Sequence, residues 1–123
     1  MNTETNEVEI NGVVYVKKGS DNVKAESLDG MPYQIVRTYS AGVFAGYVAG
    51  RNGQEVTMKR ARRLWYWAGA ASLSQLAQEG TSKPNDCKFP CEVDTVLLTQ
   101  AVELLDVTEQ AKKSIAKVAE WTA

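Results

Sequence analysis

Three guanidinium groups and three aromatic side chains lie within eight consecutive residues near the middle of the chain. They are Arg60, Arg62, Arg63, Trp65, Tyr66 and Trp67. Arginine can bind a phosphate through two parallel hydrogen bonds, and an aromatic face can stack on a nucleobase. If the segment is a strand, Arg63, Trp65 and Trp67 share one face and could bind such a ligand together. Core tryptophans with arginines packed on them are the more common arrangement.

A predicted helix start follows this segment. Ser72 and Gln75 have the spacing of a capping box, in which the serine side chain accepts a hydrogen bond from a backbone N–H of the first turn. Gly80 is the expected residue just after the helix. Because free N–H groups at a helix N-terminus attract anions, Ser72 and Gln75 join the candidate ligand-binding residues.

The turn at residues 39–42 is a smaller candidate. Tyr39 and Ser40 carry hydroxyl groups that could donate hydrogen bonds to a phosphate, and Arg37 is close in sequence. Residues of these types more commonly form an ordinary hairpin turn. Arg37 and Tyr39 are included as candidate ligand-binding residues, with the ordinary turn as the alternative.

The composition disfavours catalysis. The chain has 123 residues, no histidine and two cysteines, Cys87 and Cys91. Without histidine there is no Ser–His–Asp or Cys–His pair, and most zinc and iron sites are excluded. No histidine or third cysteine accompanies them to complete a metal site, so we expect free thiols. The sequence favours a binding protein that has no cofactor, no metal and no catalytic residue. An enzyme that uses Asp94, Glu103 or Asp106 is the alternative with the least support.

Charge is divided along a chain whose formal net charge is −1. Residues 51–63 contain five bases and one acid, whereas residues 89–111 contain five acids and no base. The two segments could pair within the fold or between subunits. Alternatively, the basic segment forms a local anion site, which suits a small phosphorylated ligand better than extended nucleic acid.

The elements that would position these residues predict two parts. Residues 1–32 are expected to form an N-terminal hairpin arm and linker, because Asn11-Gly12 lies between two alternating runs. Residues 33–123 are expected to form a single domain. Its first three strands make a meander over residues 33–38, 43–48 and 55–59, with a second Asn-Gly turn at Asn52-Gly53. Gly46 indicates a bulge or a close backbone approach.

The second half of the domain is less regular. Residues 60–67 are predicted to be extended, since aromatic residues favour strands. Residues 93–107 fit either a helix or two strands broken near residues 99–101, and we favour the strands. Thr108 is expected to cap a last helix that ends near Val118, with Trp121 docking back on the core. The predicted class is α+β: a small antiparallel sheet with two short helices and the N-terminal hairpin arm.

From Tyr33 onward the chain resembles a family of small phage and prophage proteins of unknown function. The resemblance rests on Arg62-Arg63-Leu64-Trp65-Tyr66-Trp67 and Ala71-Ser72-Leu73-Ser74-Gln75-Leu76, within matching stretches at residues 36–44, 61–77, 87–90 and 107–109. It implies a phage setting but no particular reaction. Small phage proteins without histidine include anti-defence sponges of the Thoeris- or CBASS-countering kind. Such sponges tend to be homo-oligomers whose pockets use arginine and aromatic residues.

We therefore expect a phage-encoded protein that binds a nucleotide immune second messenger, a cyclic oligonucleotide or a cyclic ADP-ribose isomer, without cleaving it. The expected partners are this ligand and further copies of the chain. No apolar run approaches the roughly 20 residues of a membrane span, and residues 1–9 do not resemble a signal peptide, so we expect a location in the host cytoplasm. The alternative is a protein–protein inhibitor or accessory protein with an aromatic and arginine interface.

Overall fold

The computed structural model of the protein describes residues 7–10, 13–16 and 23–123. Strands β1 (Glu7–Ile10) and β2 (Val13–Val16) pair antiparallel, with Glu7 opposite Val16 and Ile10 opposite Val13. This is the pairing that the predicted N-terminal hairpin requires. Its turn at residues 11 and 12, and residues 17–22 of the predicted linker, lie outside the described residues.

The remaining strands form one antiparallel sheet of five strands in the order β6-β5-β4-β3-β7. The strands are β3 (Tyr33–Thr38), β4 (Val43–Asn52), β5 (Glu55–Arg63), β6 (Glu92–Leu98) and β7 (Ala101–Asp106). Two helices, α1 (Leu73–Glu79) and α2 (Glu109–Ala116), complete the fold with a short 3₁₀ turn at Pro84–Asp86. The predicted α+β class is therefore confirmed, and so are the two strands expected within residues 93–107.

The sheet curls because its two edge strands are joined by only two residues. Leu98, the last residue of β6, pairs with Val56 at the start of β5. Ala101, the first residue of β7, pairs with Thr38 at the end of β3. Three consecutive Cα–Cα steps span at most about 11 Å, so the two edges must approach each other at this end. The backbone N–H of Ala101 donates to the carbonyl of Gln54, and this hydrogen bond joins the start of β7 to the β4–β5 turn.

A bulge in β5 fixes which way its arginines face. Arg60 has a φ of 51°, and the register between β4 and β5 shifts next to Gly46. A Cβ on Gly46 would lie 2.8 Å from the Cα of Ala61, so only glycine fits, which confirms the predicted close approach. Beyond the bulge Arg62 pairs with Ala45 and the next residue pairs with Phe44.

The hydrophobic core has two parts on opposite faces of the sheet. One part joins the sheet to the helices through Ile35, Ala45, Leu64, Leu76, Phe89 and Ile115. The other part fills the curl with strand residues, including Val36, Phe44, Val56, Met58 and Leu98. Ala45 belongs to the first part and Phe44 to the second. Their partners on β5, Arg62 and Arg63, therefore face opposite sides of the sheet. In the described part of the chain no helix is long and apolar enough to cross a membrane.

Candidate functional site

A groove of about 330 Å³ lies where β5 leaves the sheet. The turn between β3 and β4 forms one wall, and the residues at and after the end of β5 form the other. Its lining residues are Ser40, Ala41, Gly42, Val43, Arg63, Leu64, Trp65 and Trp67. The structure thus brings together the predicted face of Arg63, Trp65 and Trp67 with the turn at residues 39–42, although these segments are more than 20 positions apart.

Arg63 is the cation of this groove. Its guanidinium lies over the Phe44 ring, with Cζ 4.3 Å from the ring centroid, and its Nη1 donates to the carbonyl of Ala41. Arg63 is exposed, and its other N–H groups have no protein acceptor among the described residues. The ring and the carbonyl hold the group in place while most of its five donors stay available to an anion.

The turn that forms the opposite wall is stiffened by Thr38. The Thr38 hydroxyl donates to the carbonyl of Gly42 at 2.7 Å and accepts from the N–H of Ala41 at 2.8 Å. Gly42 has a φ of 96°, which L side chains rarely adopt. The side chain of Ser40 donates to that of Gln100, in the link between β6 and β7. This wall is therefore a rigid part of the fold.

Arg37 and Tyr39 flank the turn but do not line the groove. The Nε of Arg37 donates to Glu103 of β7 at 2.8 Å, forming an ion pair across the sheet surface. Tyr39 is exposed at the tip of the turn. The structure supplies Arg37 with a carboxylate partner, so the predicted phosphate contact from this residue would compete with Glu103.

Arg62 has a structural role, which leaves little of its side chain for the predicted phosphate contact. Its side chain donates four hydrogen bonds to backbone carbonyls: to Pro90 at 3.0 Å, Ile115 at 3.0 Å, Phe89 at 3.1 Å and Val118 at 2.7 Å. Burial lowers the pKa of the guanidinium from its usual value, yet the group remains charged at neutral pH. These bonds use four of its five N–H groups and tie the end of α2 to the segment before β6.

Three exposed aromatic side chains surround the ammonium group of Lys88, and we call these four residues the aromatic platform. The rings of Trp65 and Trp121 are stacked, with centroids 5.0 Å apart and an interplanar angle of 10°. The Nζ of Lys88 lies 5.6 Å from each of these rings and 5.9 Å from Tyr66. Trp65, Tyr66 and Trp121 are 57%, 50% and 43% exposed. Trp121 therefore does not dock on the core, and the prediction from the sequence is wrong on this point.

Backbone contacts between three segments hold the platform together. Tyr66 and Lys88 exchange two backbone hydrogen bonds, of 3.2 and 2.7 Å, and Trp121 donates its N–H to the carbonyl of Phe89 at 3.0 Å. Since Trp65 also lines the groove, the platform and the groove form one continuous surface. Lys88 and Trp121 are not among the predicted site residues, because nothing local in the sequence indicates that they meet Trp65.

The predicted helix start forms but lies outside the groove. Ser72 accepts a hydrogen bond from the N–H of Gln75 at 3.1 Å, which confirms the cap. The Gln75 side chain accepts from the N–H of Ala71 and donates to Glu79. Both side chains are occupied in capping, and neither lines the groove. The geometry leaves the predicted ligand-binding role of Ser72 and Gln75 without support.

Charge pairing accounts for part of the divided charge. The basic strand β5 and the acidic strand β6 are neighbours, and the Nε of Arg60 lies 3.4 Å from Glu92.

Cys87 is buried, Cys91 is exposed, and both are free. Among the described residues, no cluster of three or more Cys, Asp or Glu side chains could hold a metal ion.

The chain belongs to a domain family of unknown function, DUF6948, whose model matches residues 31–115. The match begins just before β3 and ends in α2, so it covers the whole five-stranded sheet and the groove. No curated protein and no solved structure matches the chain.

Proposed function

We propose that this DUF6948 protein binds and sequesters a nucleotide, without cleaving it, on the surface formed by the groove and the aromatic platform. The observation that carries the proposal is the position of Trp65, which lines the groove beside Arg63 and also belongs to the platform. A cation with available N–H groups and an exposed ring are the two groups that a nucleotide needs.

Each part of the surface matches one part of such a ligand. Arg63 would bind a phosphate, since its guanidinium is held over Phe44 and has donors to spare. An exposed ring of the platform would stack on a base, an interaction that contributes about 1–3 kcal/mol per base. Lys88 would add a second positive charge. The proposed role of these residues is to hold the ligand by charge and stacking.

The size of the groove favours a complex of several subunits. Small-molecule pockets usually measure about 300–1,000 Å³ and enclose most of the ligand. A groove of about 330 Å³ on one subunit is at the lower limit for a cyclic oligonucleotide. Two grooves that meet across a homo-oligomer interface would enclose one. The resemblance to phage proteins makes an immune second messenger in the host cytoplasm the ligand we favour, and the protein would then be an anti-defence sponge.

Native mass spectrometry of the purified protein tests this proposal. Cyclic dinucleotides, cyclic trinucleotides and cyclic ADP-ribose isomers are added separately, and the oligomer and any bound mass are recorded. We expect an oligomer that retains one of these ligands intact. Arg63→Gln and Trp65→Ala should each weaken binding at least tenfold, and Arg51→Gln, which removes an exposed charge near the tip of the β4–β5 hairpin, should not. Failure of every ligand to bind would contradict the proposal.

A protein partner is the second candidate function, and the exposure of the platform favours it. Tryptophan and tyrosine are enriched in the residues that dominate protein–protein binding. Half-exposed Trp65, Tyr66 and Trp121 in one cluster have that character. Recovery of one stoichiometric host protein, lost in Trp121→Ala and Trp65→Ala and kept in Arg63→Gln, would support this function over nucleotide binding.

A further inference from the structure

A second cleft, of about 370 Å³, lies on the opposite face of β5 from the groove, between the sheet and α2. Tyr33 and Tyr47 contribute an edge-to-face ring pair whose centroids are 5.1 Å apart at 72°. Arg60, Arg62 and Lys112 contribute three positive charges, and the carboxylates of Glu92 and Glu120 lie among the lining residues. No residue of the proposed nucleotide surface lines this cleft.

Lys112 forms no salt bridge in the described part of the chain. Its Nζ lies 5.5 Å from the Tyr33 ring centroid and 5.3 Å from that of Tyr47. The aromatic faces therefore hold the ammonium group in the cleft. The Nε of Arg60 lies 3.4 Å from Oε1 of Glu92, which is long for an ion pair. Arg62 donates its hydrogen bonds to uncharged carbonyls, and the carboxylates of Glu120 and Glu92 act on its positive charge without forming a salt bridge.

Tyr33 supplies a hydrogen-bond donor. The residue is 8% exposed and lines the cleft beside Tyr47. Burial, with Tyr47 and Glu92 adding to it, raises the pKa of this hydroxyl above its ordinary value. The hydroxyl thus keeps its proton throughout the physiological range. A protonated hydroxyl in the wall of the cleft can donate a hydrogen bond to an acceptor that binds there.

From this arrangement we propose that the cleft binds a small phosphate-bearing anion, held by Lys112, Arg60 and the hydroxyl of Tyr33. Three cations face two carboxylates, one of which is already shared with Arg60, so the local charge favours an anion. This site is separate from the proposed nucleotide surface, and either could exist without the other.

A titration with inorganic pyrophosphate, followed by the amide signals of the protein in NMR spectra, tests the site. We expect saturable shifts at Tyr33, Tyr47, Lys112 and the residues after α2. Lys112→Gln should weaken binding about tenfold or more, as the loss of a charge-assisted hydrogen bond does. Lys113→Gln is the matched control, since this neighbour on α2 lines a different cavity and should leave the affinity unchanged.

Two further variants distinguish binding in this cleft from binding elsewhere on the protein. Tyr33→Phe keeps the ring and removes the hydroxyl, and should weaken pyrophosphate binding several-fold while the protein stays folded. Arg63→Gln should not change it, so failure of the proposed nucleotide surface would leave this result intact. Shifts that do not saturate, or equal losses in Lys112→Gln and Lys113→Gln, would show only diffuse attraction to a positive surface and would overturn the proposal.

Discussion

The four carbonyls bound by Arg62 predict that Arg62→Gln damages stability more than any other single charge removal in β5. A hydrogen bond to a charged group contributes about 1.5–3 kcal/mol net. The four bonds share one partly exposed guanidinium, and water can reach some of the freed carbonyls, so the loss is smaller than four times that value. We expect about 3 kcal/mol, which lowers the melting temperature of a domain of this size by roughly 10–15 °C.

The assay is thermal and urea unfolding followed by circular dichroism, with Arg63→Gln as the matched control. Arg63 makes one hydrogen bond to a carbonyl and an exposed contact with Phe44, worth together about 1 kcal/mol. The two variants should therefore have different effects. Arg62→Gln should lower stability, whereas Arg63→Gln should weaken nucleotide binding. An Arg62→Gln protein that melts within about 3 °C of the unmodified chain and no longer binds the nucleotide would refute the structural role.

Two more predictions concern stability. Gly46→Ala places a Cβ 2.8 Å from the Cα of Ala61, so we expect it to lower the free energy of unfolding in urea by about 2 kcal/mol. Gly50→Ala on the same strand has open space around it and should change this free energy by less than about 0.5 kcal/mol. Equal effects of the two variants would contradict the close approach at Gly46. Above pH of about 10 the unfolded chain releases the Tyr33 proton that the folded chain still keeps, so stability falls as pH rises, and Tyr33→Phe should show a shallower fall between about pH 9.5 and 11.5. Parallel falls would contradict that origin.

Local signals predicted most of the elements correctly. The Asn52-Gly53 turn, the Ser72 cap and the cap at Thr108, whose hydroxyl accepts from the N–H of Ala111, each depend on residues within four positions. The strands of the meander also lie where alternation predicted them, although β4 and β5 run longer, to Asn52 and Arg63. Turn and cap chemistry acts within one turn of chain, so it can be read from sequence.

The candidate site could be predicted only in part, because its geometry depends on contacts between distant segments. The carbonyl partners of Arg62 lie 27 to 56 positions away, so its structural role has no local signature. The stacking of Trp121 on Trp65 joins segments that are equally distant. The cleft at Lys112 depends on the approach of α2 to β3 and β4. Residue type alone could not decide which of two neighbouring arginines is satisfied by the fold.

The bulge at Arg60 explains why neighbouring arginines of this segment have different surroundings. Strand alternation sends consecutive side chains to opposite faces, and beyond the bulge Arg62 meets the helix side while the following residue meets Phe44. The helix side needs a cation at the carboxyl end of α2, where the carbonyls carry partial negative charge. On the side that holds Phe44, no helix end requires a cation, so most N–H groups of Arg63 stay available. A one-residue change of register in β5 would exchange these positions, and it follows that Gly46, which fixes the register, controls the proposed binding surface as well as the core.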